Sequence, residues 1–138
     1  MEHDVDAALS AWFEEFSDDE ANMAIALCRA LDEKLGPEDI EVEGHSHYGL
    51  TVLSIGSREY AIGTDGEADE AWDKALDSYI DECILPEMPE HLQGYFDEEK
   101  WKRDAQADGR GHALSYYDGD EYEAEGADGV EYCIFQIR

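Results

Sequence analysis

The sequence predicts a single α+β domain over residues 1–138, with its elements in the order ααβββααβ and an antiparallel sheet of about four strands. Two patterns support this prediction. Apolar residues recur at helical spacing in three segments, and residues 39–63 and 130–137 have the composition and alternation typical of strands. Composition supports it as well, because 43% hydrophobic and 11% aromatic residues are enough to build a core. The sequence shows no repeat or linker, so we expect one domain.

Two helices are predicted at the start of the chain. The first covers residues 3–16, where one stripe contains Val5, Ala8, Leu9, Trp12, Phe13 and Phe16. Ser17 and Glu20 have the spacing of a capping box, which predicts the start of the second helix, and Gly36-Pro37 is the expected stop signal. The predicted buried face of this second helix is Ala24, Leu27, Cys28, Leu31 and Leu35.

Residues 39–63 predict a three-stranded antiparallel meander. Ile40 and Val42 alternate with glutamates, and Gly56-Ser57 is a plausible two-residue turn between the second and third strands. The run from Val130 to Ile137 predicts a last strand that joins this meander.

Two further helices are predicted between the meander and the last strand. Thr64 and Glu67 form a second capping box, and Pro86 is expected to end the long helix that follows. Its predicted buried stripe is Ala68, Trp72, Ala75, Leu76, Tyr79, Ile80 and Cys83. A shorter polar helix containing Trp101 is predicted over residues 97–108, and a Gly- and acid-rich loop follows it.

The charge balance is extreme: 37 acidic residues against nine Lys and Arg give a formal net charge of −28. Such a chain repels DNA, RNA and anionic membranes, so we expect no direct nucleic-acid or membrane binding and a partner with a basic surface. The N-terminus is acidic and no apolar run approaches membrane-spanning length, which predicts a cytoplasmic protein. The three cysteines have no paired spacing, so buried thiols are expected at Cys28, Cys83 and Cys133.

One candidate partner-binding surface is a stripe of carboxylates on the long helix. Spacings of three and four residues put these groups about 5–6 Å apart along the helix, close to the phosphate separation of about 6–7 Å along one DNA strand. The stripe consists of Glu70, Asp73, Asp77 and Asp81, with Asp69 and Glu82 beside it. Lys74 is the one base expected to relieve it, and the alternative is an ordinary solvated face.

A second candidate surface is the acidic loop before the last strand. It combines carboxylates with tyrosines, which are enriched at binding hot spots: Tyr116, Tyr117, Asp118, Asp120, Glu121, Tyr122 and Glu123. The alternative is that these rings cover the edge of the sheet. The basic cluster that precedes the loop is expected to pair internally with surrounding acids: Lys100, Lys102, Arg103 and Arg110.

The sequence contains no recognisable catalytic or metal-binding motif. A calcium loop counted from Asp118 fails, because position 6 is Glu123 and position 12 is Gly129. His45 and His47 fall on one face of a strand without a third ligand nearby, so we expect surface histidines flanking a turn. Residues 112, 115 and 118 are of catalytic-triad types but are too close in sequence, which favours local turn hydrogen bonds. We therefore expect a non-enzymatic protein without a cofactor or metal.

Two segments resemble blocks found in small acidic proteins of bacteriophages and related mobile elements. The first is the strand-into-helix block from Glu59 to Ala71, and the second is Arg110-Gly111-His112-Ala113-Leu114-Ser115-Tyr116-Tyr117-Asp118-Gly119. A terminal strand such as residues 132–137 is similar to those that close such chains. The resemblance covers about the last eighty residues. It implies a phage origin and favours the DNA-mimic class of anti-restriction and anti-CRISPR proteins.

Three hypotheses of function follow. The first is a DNA mimic that blocks the basic nucleic-acid-binding surface of a host CRISPR effector, restriction enzyme or nuclease. The second is a halophile-adapted domain whose acidity keeps it hydrated in high salt. The third is an immunity protein against a basic nuclease, which uses the same electrostatics as the first.

Overall fold

Five antiparallel strands lie at the centre of the protein, in the order β1-β2-β3-β5-β4. The computed structural model describes the backbone of residues 2–138 and the side chains from Leu9 onward. The strands are β1 (Glu41–His47), β2 (Leu50–Ile55), β3 (Arg58–Thr64), β4 (Tyr122–Glu125) and β5 (Glu131–Gln136). The predicted meander is confirmed in β1 to β3, and the last strand joins it by pairing with β3.

Six α-helices occur within the described residues. They are α1 (Glu2–Glu15), α2 (Asp18–Leu31), α3 (Asp65–Tyr79), α4 (Glu90–Gln93), α5 (Glu98–Gln106) and α6 (Arg110–Leu114). The α+β class is confirmed, but the predicted order ααβββααβ is wrong. The short helices α4 and α6 and the strand β4 were not predicted. All three have five residues or fewer, which is too short to show a hydrophobic period.

Helices cover both faces of the sheet. On one face, α2 buries residues 21–27 against Leu53, Tyr60 and Ile134, and Trp12 of α1 joins this core. On the other face, the alanines of α3 pack with Leu114 of α6 against the opposite side chains of the same strands. Because both faces are buried, the central strands have continuous apolar runs rather than a simple alternation.

The predicted helix starts are confirmed and two predicted ends are not. Ser17 with Glu20 and Thr64 with Glu67 form complete capping boxes. However, α2 ends at Leu31, before the predicted Gly36-Pro37 stop, because Asp32 adopts a left-handed conformation (φ 54°) and its N–H bonds the carbonyls of the last turn. Leu35 still packs against the core from the loop that follows.

The long helix changes its winding before Pro86. Residues Ile80–Ile84 form a π-helical turn and Leu85–Glu87 a 3-10 turn. Cys83 lies within the wider π-helical turn, where the spacing of a regular helix no longer holds, and it is exposed instead of buried as predicted. Tyr79, also predicted to be buried, is 52% exposed. Cys133 is buried as expected, and Cys28 is partly buried.

On the first helix, Trp12 is buried but Phe13 is 37% exposed, because consecutive helical residues point in directions about 100° apart. The side chains of Val5 and Ala8, also placed on the predicted stripe, lie outside the described side chains.

Candidate partner-binding surface

The predicted acidic stripe lies on α3 and the π-helical turn that follows it. The side chains of Asp69, Glu70 and Asp73 are exposed and Asp77 is partly buried. Asp81 and Glu82 lie in the π-helical turn and are exposed as well. All six are therefore carried on one helical segment that is anchored by the buried alanines of α3.

Bases from other helices neutralise part of this stripe. Lys102 of α5 places its Nζ 2.9 Å from Asp73 Oδ1 and also contacts Asp77, and Arg110 Nη1 lies 2.9 Å from Asp69 Oδ1. The expectation that Lys74 alone relieves the stripe is therefore wrong. Among the described residues, Glu70, Asp81 and Glu82 form no ion pair, so they are the stripe carboxylates that remain free.

Arg110 forms ion pairs with three carboxylates, from the start of α3 and from the segment before β4. Its guanidinium contacts Asp65 and Asp69 at the start of α3 and makes two hydrogen bonds of 2.8 and 2.9 Å to Glu121. Only 12% of the Arg110 side chain is exposed, and the hydrogen bonds to Glu121 raise its pKa. The predicted internal pairing of the basic cluster is thus confirmed for Lys102 and Arg110. Glu121 is bound to Arg110 and is not a free carboxylate.

A possible metal cluster at β4 and β5 is explained by the same arginine. Ligand atoms of Glu121, Glu123 and Cys133 lie within 4.8 Å of one another. However, Arg110 already forms the two hydrogen bonds to Glu121 and lies 3.6 Å from the Cys133 sulfur. Burial raises the pKa of Cys133 to about 11, so the thiol keeps its proton. The guanidinium supplies the positive charge that this cluster needs, and we assign no metal to it.

The second predicted surface combines a tight turn with the edge strand β4. Asp118 accepts hydrogen bonds from the Tyr122 hydroxyl at 2.6 Å and the Asp120 N–H at 3.0 Å, and these contacts lower the pKa of Asp118. The Ser115 hydroxyl lies 2.8 Å from both Asp118 Oδ1 and the Gln136 carbonyl, so its one proton is shared between them. The predicted local turn hydrogen bonds are confirmed for Ser115 and Asp118.

The side chains of this second surface differ in how freely they face solvent. Asp120 and Glu123 are exposed and form no ion pair within the described part of the chain. Tyr117 is 68% exposed and Tyr122 is 41% exposed on β4 at the sheet edge. The alternative that rings cover the sheet edge therefore fits Tyr122, which lies on the edge strand itself.

Tyr116 belongs to a groove that the sequence did not predict. The groove has a volume of about 670 Å³ and lies between α3, α5 and α6, with Glu82 of the stripe on its wall. It brings together residues from three separate parts of the sequence, so no local pattern could have indicated it. The side chains that define its chemistry are four Tyr and Trp rings, three carboxylates and one imidazole: Tyr48, Tyr79, Trp101, Tyr116, Glu82, Asp104, Asp108 and His112.

Hydrogen bonds and ring contacts fix one wall of the groove. The hydroxyls of Tyr48 and Tyr116 lie 2.9 Å apart, and both rings contact His47 edge-on. His47 is buried and its Nε2 lies 2.9 Å from the Leu114 carbonyl, so the expectation of a surface histidine is wrong for this residue. Its neighbour His45 is exposed as expected. Burial lowers the pKa of His47, because a buried imidazole loses the hydration of its charged form.

The fold and these surfaces describe an acidic α+β protein whose sheet is covered on both faces and which has an aromatic groove lined by three carboxylates. No family model, curated protein or solved structure matches the chain. Among the described residues, no helix has the length and apolar character needed to cross a membrane.

Proposed function

We propose that the protein is a non-enzymatic inhibitor of phage type that acts as a DNA mimic. It binds the basic nucleic-acid-binding surface of a host defence complex, either a CRISPR effector or a restriction enzyme, and excludes the nucleic acid. The resemblance of residues 59–71 and 110–119 to phage proteins supports this class, and the charge supports the mechanism.

One observation carries the proposal: most of the described carboxylates lie unburied and form no ion pair. From Glu14 onward no acidic side chain is buried. Within this part of the chain, six of them are in ion pairs: Glu33, Asp65, Asp69, Asp73, Asp77 and Glu121. The others repel one another and oppose the compact state, so a binding role accounts for their presence.

The mechanism uses electrostatic attraction to a surface that normally holds phosphates. Lys and Arg side chains that contact a nucleic-acid backbone can pair equally with fixed carboxylates, and the counterions of both surfaces are released. Association is therefore fast at low ionic strength and weakens as salt rises. We expect the free carboxylates of the predicted stripe and loop to make this contact.

A plating assay tests the proposal. The protein is produced in bacteria that carry a restriction system or a CRISPR system directed at an infecting phage, and the efficiency of plating is compared with that in cells lacking the defence. We expect the protein to raise plating in the defended cells alone. If no defence type is relieved at verified expression, the proposal is wrong.

Matched charge variants locate the contact in the same assay. The test variant carries Glu70→Gln, Asp81→Asn and Asp120→Asn, and the control carries Glu14→Gln, Glu15→Gln and Glu41→Gln. Both remove three exposed charges, but the control positions lie on α1 and β1. We expect the test variant to lose more inhibition. Asp73 and Asp77 are left intact because replacing them would release Lys102.

A second candidate function is favoured by how widely the free acids are spread. Exposed carboxylates occur beside the α1–α2 layer, such as Glu14 and Asp32, as well as beside α3 and α5. An acidic coat on both sides of the sheet is what adaptation to high salt would produce. The two candidates differ in the salt concentration that folding requires: a halophile-adapted domain needs molar salt, whereas a DNA mimic folds at ordinary ionic strength.

A further inference from the structure

We propose that the groove between α3, α5 and α6 binds the guanidinium group of an arginine side chain on the partner protein. This inference rests on the proposed function, because it states how a basic partner would be held. It concerns a site separate from the free acids tested by plating, so the two can fail independently.

The charge of the groove favours a cation. Glu82, Asp104 and Asp108 line it, are exposed and form no ion pair with any residue that the structure describes. Among the described residues, no Lys or Arg lines the groove, and its one imidazole, His112, forms no ion pair with the carboxylates. Arg103 adjoins Asp104 in sequence but does not line the groove. Lys102 is engaged by Asp73 and Asp77, and Arg110 pairs with acids outside the groove. Three carboxylates therefore lack a positive partner at a concave surface.

The aromatic lining favours a planar cation. Tyr79 and Trp101 stack with ring centroids 5.5 Å apart and an interplanar angle of 8°. Tyr79 is 52% exposed and Tyr116 is 62% exposed, so ring surface remains available in the groove. A guanidinium stacks on such faces, and its N–H groups, which point outward in its own plane, can still reach carboxylates at its edge. A lysine ammonium is more strongly hydrated and has no plane to stack.

The groove wall is preorganised, which reduces the entropy lost on binding. The Tyr48–Tyr116 hydrogen bond and the buried His47 hold Tyr116 in place. Partial burial of the phenol, together with this hydrogen bond, raises the pKa of Tyr116 to about 12, so the ring stays neutral beside Glu82. A volume of about 670 Å³ accommodates an arginine side chain together with neighbouring residues of a partner segment.

The direct test uses short blocked peptides and the full chain. Acetyl-Gly-Arg-Gly-amide is titrated into the ¹⁵N-labelled protein while the indole N–H signal of Trp101 is followed by NMR. Peptides with lysine or citrulline in place of arginine are the matched probes, since citrulline has nearly the same shape without the charge. Trp12, buried in the core under α1, is the internal reference.

We expect the arginine peptide to shift the Trp101 signal in a saturable way, the lysine peptide to bind more weakly, and the citrulline peptide to leave the signal unchanged. Glu82→Gln and Tyr79→Ala should each weaken binding by about two- to five-fold, as expected for one exposed ion pair or one cation–π contact. The control Glu87→Gln removes an exposed charge that does not line the groove and should bind as the parent does. A dispersed amide spectrum verifies that each variant is folded.

Three results would overturn the inference. They are an unchanged Trp101 signal with the arginine peptide, an equal response to citrulline, and an equal response to lysine, which removes the guanidinium assignment. Failure here together with inhibition in the plating assay rejects the groove and leaves the proposed function. Binding of the arginine peptide by a protein that relieves no defence rejects the proposed function and leaves the groove.

Discussion

Asp118 shows how a single carboxylate in an acidic protein acquires a structural role. It accepts a hydrogen bond from Tyr122, four residues away, and others from the Ser115 hydroxyl and the Asp120 N–H in the turn that connects α6 to β4. The chain thus uses one negative charge to close a turn, whereas Asp120 beside it is free. The sequence predicted Asp118 and Asp120 as parts of one binding surface. Only the direction of each side chain in the fold shows that Asp118 is hydrogen-bonded and Asp120 is not.

Replacing the Tyr122 hydroxyl tests this role. In Tyr122→Phe the hydrogen bond that lowers the pKa of Asp118 most is lost, so we expect that pKa to rise toward its ordinary value. The carboxyl ¹³C signal of Asp118, followed by NMR through an acid titration, measures the change. The same titration of the parent protein provides the reference.

The same substitution has a consequence for stability with a defined sign. Because the folded-state pKa of Asp118 lies below its unfolded value, its ionised form stabilises the fold at neutral pH, and this contribution is lost as the pH falls through the folded pKa. We expect Tyr122→Phe to lower the free energy of unfolding at neutral pH. The difference from the parent should shrink in acid, and a difference that grows in acid would contradict the assignment.

Among the elements, the two capping boxes and one hairpin were predicted from residues close in sequence, whereas the edge strand β4 was not predicted. Both capping boxes and the Gly56-Ser57 hairpin depend on groups within three or four residues of one another. By contrast, β4 is a strand because it pairs with β5, and three of its four residues are exposed. The groove was missed for the same reason, since residues as distant as Tyr48 and Tyr116 meet there.

The helix α6 depends on one close backbone approach. A Cβ atom on Gly111 would lie 2.6 Å from the Gly119 carbonyl oxygen and 2.8 Å from the Asp120 carbonyl carbon. These are main-chain atoms that cannot rotate away. The contact places α6 directly against the turn that leads into β4, and it gives a physical reason for glycine at position 111.

We expect Gly111→Ala to lower the free energy of unfolding by about 1–3 kcal/mol, the range for overpacking a tight site. Urea unfolding followed by circular dichroism measures the change. Gly66→Ala is the matched control, because it adds the same methyl group in the first turn of α3 with no atom within 4 Å. The control should be as stable as the parent or slightly more so. Equal stability of both variants would show that the turn can move.

For the molecule as a whole, charge and fold are set by different residues. The two cores form from apolar side chains on the two faces of one sheet, and the carboxylates lie outside them. Composition therefore predicted correctly that the chain has a core despite its charge. It could not predict which acids are neutralised, because Lys102 and Arg110 reach the stripe from helices that lie 25 residues or more further along the chain.

Salt should stabilise this protein by screening its self-repulsion. We expect the free energy of unfolding in urea to rise with NaCl as the Debye length falls from about 30 Å at 0.01 M to about 8 Å at 0.15 M, and then to level off. Both triple variants described above should be more stable than the parent at the lowest salt. A chain that folds only in molar salt would instead support the halophile candidate.

The position of β5 constrains when the sheet can form during synthesis. Residues 131–136 pair with β3 on one side and β4 on the other, although both partners emerge from the ribosome earlier. Until those residues leave the exit tunnel, β3 has an unpaired edge and β4 has no neighbour to bind. The nascent chain can therefore pair β1, β2 and β3 first, but it completes the five-stranded sheet only after β5 emerges. A chain that stops before residue 131 lacks the strand that connects β3 to β4.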